Sequence, residues 1–101
     1  MNVQIEAPFS ISEPMENLIN EKLDKIATYY DRITTAKVYM KDEIQRHHHK
    51  ENRTVEIRVE VPGTSLFAED SAETFEQAIA GAASKLGRQV RKFKEQLNER
   101  H

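Results

Sequence analysis

Cysteine is absent from these 101 residues, which removes disulfides, thiolate metal sites and a thiol nucleophile together. Glycine occurs three times, at positions 63, 81 and 87, and none falls in a GxGxxG or P-loop pattern. A phosphate-cradling glycine loop is therefore not encoded. No apolar run approaches the roughly 20 residues that a membrane-spanning helix needs. Met1 to Glu6 carries neither a basic nor an apolar segment of the kind that opens a secretory signal. No nucleophile–base constellation is legible, and neither an internal repeat nor a linker divides the chain. The expectation is one cytoplasmic domain over residues 1–101, with no catalytic residue, cofactor or small-molecule substrate.

What is present is a solvated globular composition, 38% hydrophobic and 32% charged, with a net charge of -2. Against that acidic average, Lys85 to Lys94 holds five basic side chains and no acid. Taking those five charges from -2 leaves -7 over the other 91 residues. The positive charge is thus gathered in one place, as an anion-binding patch requires. The segment also has a helical period: Phe75, Ile79, Ala82, Leu86, Val90, Phe93 and Leu97 recur at spacings of three and four. On that wheel Lys85, Arg88 and Lys92 fall on one flank of the apolar face, Arg91 nearly behind it, and Lys94 on the other flank. Two readings stand: an anion-binding surface, or a solvated helix end whose cations complement the macrodipole.

Alternation of apolar residues marks the strands. Asn2 to Glu6 is a short first strand. Ser12 is a suitable N-cap, with Glu13, Pro14 and Glu16 suited to a first turn, and Met15, Leu18, Ile19, Leu23, Ile26 and Tyr29 or Tyr30 form the apolar stripe of a helix ending near Tyr30. Thr35 to Lys41 is a second strand with Ala36, Val38 and Met40 inward. Asp42 to Asn52 is expected to be a hairpin loop with ragged strand ends, and Arg53 to Val61 the next strand, with Val55, Ile57, Val59 and Val61 inward. Pro62-Gly63 is a turn, Leu66 and Ala68 mark a fourth strand, and the long helix follows Glu69-Asp70-Ser71. The order β-α-β-β-β-α predicts a two-layer α+β fold, a four-stranded sheet with both helices on one face. The first two strands are joined through a helix and allow a parallel crossover, while the last three are antiparallel neighbours.

Three features invite chemistry. His47, His48 and His49 could share a metal, but no second ligand cluster accompanies them, and a solvated loop tip without metal is expected. Glu69, Asp70, Glu73 and Glu76 are expected at the start of the long helix, where its dipole accounts for them. Lys22 is less expected, because it lies between Ile19 and Ile26 inside the apolar stripe of the first helix. It must snorkel to solvent, pair with an acid, or line a cleft between the helices. In the last case Lys22 and Lys25 join the basic flank of the second helix.

The runs Glu21 to Ile26, Tyr30 to Ile33, Val59 to Gly63, Leu66 to Glu69, Phe75 to Ile79 and Lys85 to Lys94 stand in an order and spacing that spans nearly the whole chain. In these the sequence resembles the short ribosome hibernation-promoting factors, a family that includes the ribosome-associated translation inhibitors and sigma-54 modulation proteins. The resemblance implies a fold similar to double-stranded-RNA-binding domains and binding to small-subunit rRNA at the decoding region, across the path of mRNA and of A- and P-site tRNA. It implies translation silencing in hibernating ribosomes, with Lys22, Lys25, Lys85, Arg88, Arg91 and Lys92 matched to rRNA contact. Two departures are visible. Gly87 weakens the helix inside the basic segment by about 1 kcal/mol relative to alanine. Long members append a dimerisation domain, so this chain is expected to need a separate ribosome dimerisation factor or to silence single ribosomes. The alternative from another class is a module that modulates a transcription factor such as sigma-54 through the acidic surface of Glu13, Glu16, Glu21 and Asp24.

The histidine run gives a first prediction. Replacing His47, His48 and His49 together by alanine leaves the thermal unfolding midpoint nearly unchanged, because a polar loop tip buries little surface. A stoichiometric metal that survives dialysis, or a large drop in the midpoint, contradicts this.

Overall fold

The apolar alternation and the helical stripes meet in a computed structural model that describes residues 1–45 and 50–99. The elements are β1 (Asn2–Glu6), α1 (Glu13–Ala27), β2 (Thr35–Gln45), β3 (Lys50–Val61), β4 (Thr64–Ala72) and α2 (Phe75–Glu99). They form one mixed sheet in the order β1-β2-β3-β4, with β1 parallel to β2 and the other pairs antiparallel. Ala36, Val38 and Met40 from β2 and Val55, Ile57, Val59 and Val61 from β3 point to one side and are buried. Ile19, Leu23 and Ile26 of α1 and Ile79, Leu86 and Val90 of α2 close over that side in the same cluster. Both helices therefore lie on one sheet face, as the single stripe on each requires. The other face carries Lys37, Tyr39, Glu56, Arg58 and Glu60. There Arg58 lies over the exposed Phe67 ring, 4.9 Å from its centroid.

Local chemistry sets the ends of α1. The Ser12 hydroxyl accepts the Met15 N–H at 3.3 Å, and Glu13 and Glu16 occupy the first turn. The helix stops at Ala27 rather than near Tyr30. The Thr28 hydroxyl donates to the Lys25 carbonyl at 2.6 Å, and the N–H groups of Thr28 and Tyr29 turn back to Lys25 and Ile26. Those short i−3 bonds use up the last carbonyls and end the helix. Tyr30 is nonetheless buried, edge-on to Phe93 at 5.8 Å.

Strand pairing extends past the apolar residues. The segment expected as a hairpin loop is strand at both ends, since β2 runs to Gln45 and β3 begins at Lys50, in continuous register from Thr35↔Glu60 to Gln45↔Lys50. A backbone ladder needs no apolar side chain, and opposite charges face each other at Asp42↔Arg53. His47, His48 and His49 lie outside the described residues. Likewise Glu69-Asp70-Ser71 does not lead into the helix: β4 continues through it to Ala72, paired with β3 as far as Arg53. The helix begins instead at Phe75, where the Thr74 hydroxyl accepts the Gln77 N–H at 3.2 Å. Of the four acids expected at that helix start, only Glu76 occupies its first turn.

Asp70 thereby acquires another role. From the edge strand it reaches the side of α2, where its Oδ1 receives the Lys85 ammonium at 2.9 Å. It fits because Gly81 has no side chain, since a Cβ there would overlap the Asp70 carboxylate. Gly81→Ala alone gains helix propensity but displaces the carboxylate, so the two effects offset each other. With Asp70→Ala already present the carboxylate is gone and only the Cβ at position 70 stays close, 3.2 Å away, so the same substitution stabilises by up to about 1 kcal/mol. A chemical-denaturation double-mutant cycle measures the difference, and equal increments in both backgrounds contradict the contact.

Candidate nucleic-acid interface

Where α1 and α2 run alongside each other, small residues keep the seam open. Ala80, Ala83, Ser84 and Gly87 form the α2 wall, Ile26 and Tyr29 lie opposite, and the space between is a groove of about 430 Å³. Four cations line it, Lys22 and Lys25 from α1 and Arg88 and Arg91 from α2, and among the described residues no carboxylate does. None of the four forms an ion pair within the described residues. Lys22 sits half-buried in the apolar stripe and extends its stem along it to bring its ammonium to the groove. Arg88 donates to the Ser84 hydroxyl at 3.4 Å. The Arg91 guanidinium lies over the Tyr29 ring, 4.0 Å from its centroid. Cations gathered without a neutralising acid raise the local potential, and a concave wall focuses it on a polyanion.

The six basic residues singled out from the sequence thus divide. Lys22, Lys25, Arg88 and Arg91 come together, which makes the cleft position the right one of the three open to Lys22. Lys85 stands apart on the β4 side of α2, donating to the Glu69 carbonyl at 3.1 Å as well as to Asp70. Lys92, two turns beyond Lys85 on the same side of α2, is exposed and does not line the groove. The acids of α1, Glu13, Glu16, Glu21 and Asp24, are all exposed. Ser84 went unnoticed in the sequence, while Gly87 stood out there only as a helix-weakening residue and Tyr29 only as a candidate for the apolar stripe of α1. The recurrence of small residues at 80, 83, 84 and 87 is the helical signal that marks this wall.

Residues 3–98 match the family described as sigma 54 modulation protein / S30EA ribosomal protein. The chain belongs to this family. It is 38% identical over 84 residues to the ribosome hibernation promotion factor of Deinococcus radiodurans, covering 83% of this chain and 44% of that protein. It is 33% identical over 85 residues to the ribosome hibernation promoting factor of Pseudomonas putida, covering 84% of this chain and 78% of the relative. The chain therefore spans less than half the length of the Deinococcus relative. In fold, this sigma 54 modulation/S30EA member superposes on a ribosomal subunit interface protein from Coxiella burnetii with a TM-score of 0.78 and 20% identity. The match covers 94% of this chain and 99% of the other. The N-terminal domain of Thermus thermophilus Protein Y matches with a TM-score of 0.74 and 25% identity, over 92% and 99% of the two chains. Among the described residues no helix is long and apolar enough to cross a membrane, and no group of three or more His, Asp or Glu side chains is placed to hold a metal.

The contrast between paired and unpaired lysines is measurable. Lys22→Met and Lys25→Met remove a charge without breaking an ion pair, so unfolding free energy stays within about 0.5 kcal/mol of wild type. Lys85→Met loses a partly solvated pair and lowers it by about 0.5–1 kcal/mol. Denaturant melts of the three variants check this, and a Lys22→Met loss as large as that of Lys85→Met contradicts the placement of Lys22 in the groove.

Proposed function

We propose that this chain is a non-enzymatic, cytoplasmic translation silencer of the ribosome-hibernation type. It binds small-subunit rRNA at the decoding region and keeps mRNA and tRNA from their places there. The observation that carries this reading is the groove of four cations between two helices, with no acid on its walls and no ion pair to them among the described residues. RNA helices offer phosphates and 2′-hydroxyls rather than a readable deep groove, so a groove between two helices lined by cations is suited to contact by shape and charge. The names of the Deinococcus and Pseudomonas relatives support the ribosome as the partner. Lys92, exposed on the β4 side, extends the basic surface outward from the groove, whereas the charge of Lys85 is met by Asp70.

The test is co-sedimentation with small subunits across a salt series. If the four groove cations each neutralise one phosphate, affinity falls as about the third power of salt concentration or slightly faster. Arg88→Glu with Arg91→Glu keeps the fold, abolishes co-sedimentation at physiological salt and relieves inhibition of a cell-free translation reaction. Binding that ignores salt and survives this double reversal overturns the RNA reading and favours a protein contact through the acidic face of α1.

A further inference from the structure

Gly87 is buried in α2, although glycine weakens a helix and the basic segment around it is otherwise made of good helix formers. The position is explained by what lies against it. A Cβ on Gly87 would stand 3.2 Å from Cε2 of Tyr29, so a larger residue pushes the ring away. One turn further along α2, on the same side, the Arg91 guanidinium lies 4.0 Å from the centroid of that ring. Tyr29 is fixed from its own side as well, since its N–H is bonded to the Ile26 carbonyl at 3.0 Å where α1 ends.

We propose that Tyr29 is a positioning residue of the groove: seated on Gly87, its ring holds the Arg91 guanidinium in place for a nucleic-acid phosphate. This rests on the RNA-binding reading above. An aromatic face restrains a flat guanidinium through its quadrupole and leaves the N–H edge free for a bidentate contact. It also leaves the charge intact. A carboxylate would restrain the arginine equally well and cancel the charge, which is the condition of Lys85 against Asp70. Arg91 is thus ordered before binding, and less side-chain freedom is lost when RNA arrives.

The experiment compares Tyr29→Phe, Tyr29→Leu and Gly87→Ala, the two Tyr29 changes also in an Arg91→Met background, by affinity for small ribosomal subunits. Tyr29→Phe keeps the ring and binds like wild type. Tyr29→Leu weakens binding by about two- to five-fold, the equivalent of one exposed cation–π contact. With Arg91→Met present, it has no further effect. Gly87→Ala alters no charge, raises helix propensity and makes the ring give by a few tenths of an ångström, so it weakens binding less than Tyr29→Leu does. The side-chain protons of Arg91 supply a readout that needs no RNA. They are shifted upfield by the ring current in wild type and Tyr29→Phe, and not in Tyr29→Leu. Wild-type protein that ignores small subunits overturns the RNA reading and this proposal with it. Wild-type binding with a Tyr29→Leu loss that persists undiminished in Arg91→Met, or Arg91 protons without a ring-current shift, overturns the positioning role alone.

Discussion

Each helix has a single apolar stripe and the sheet has a single apolar face, so both stripes must be buried on the same surface. That constraint puts α1 beside α2 and creates the seam. Every other property of the molecule depends on which residues the seam receives. From α2 it receives a wall of small residues, which keeps it open, and from both helices it receives lysine and arginine. The acids of α1 are turned to solvent, and the acid nearest to the basic flank of α2, Asp70, approaches from the opposite side, where it holds Lys85. A protein with a net charge of -2 thereby presents a concave strip that, among the described residues, carries no negative side chain.

Much of this was legible in the residues because two periods are enough to assign faces. The inward sides of β2 and β3, the N-cap of α1 and the stripe of α2 follow directly from alternation and from threefold and fourfold spacing. The odd position of Lys22 followed too, since a charge inside an apolar stripe has few places to go. The division of the basic flank did not follow. A helical wheel gives angles about one axis but says nothing of which neighbour stands at which angle, so Lys85 and Arg88 look equivalent until β4 and α1 are placed on opposite sides of α2. The ends of elements were also poorly marked. Polar residues such as Asp42 and Asp70 read as loop or helix start, whereas the backbone ladder continued through them.

Two glycines within one helix illustrate how close approach rather than flexibility decides their place. Gly81 admits an aspartate from the edge strand and Gly87 admits a tyrosine from the end of α1. The contacts lie on opposite flanks of α2, so the helix is gripped from both sides by side chains that reach its backbone. One grip is ionic and removes a positive charge from play. The other is aromatic and keeps a positive charge available. The buried stripe of α2 sets its orientation about its own axis, and these two contacts flank it on either side.

The order of elements along the chain has a consequence for synthesis. Chains fold as they emerge, earlier segments first, and here all four strands and α1 precede α2. The part of the chain before α2 contributes two of the four groove cations, Lys22 and Lys25, beside Ile26 and Tyr29, and the other wall arrives with α2. A partly made chain still tethered to the ribosome that is producing it holds half of the cations and none of the enclosure. The groove is complete only once α2 has been made and has packed beside α1.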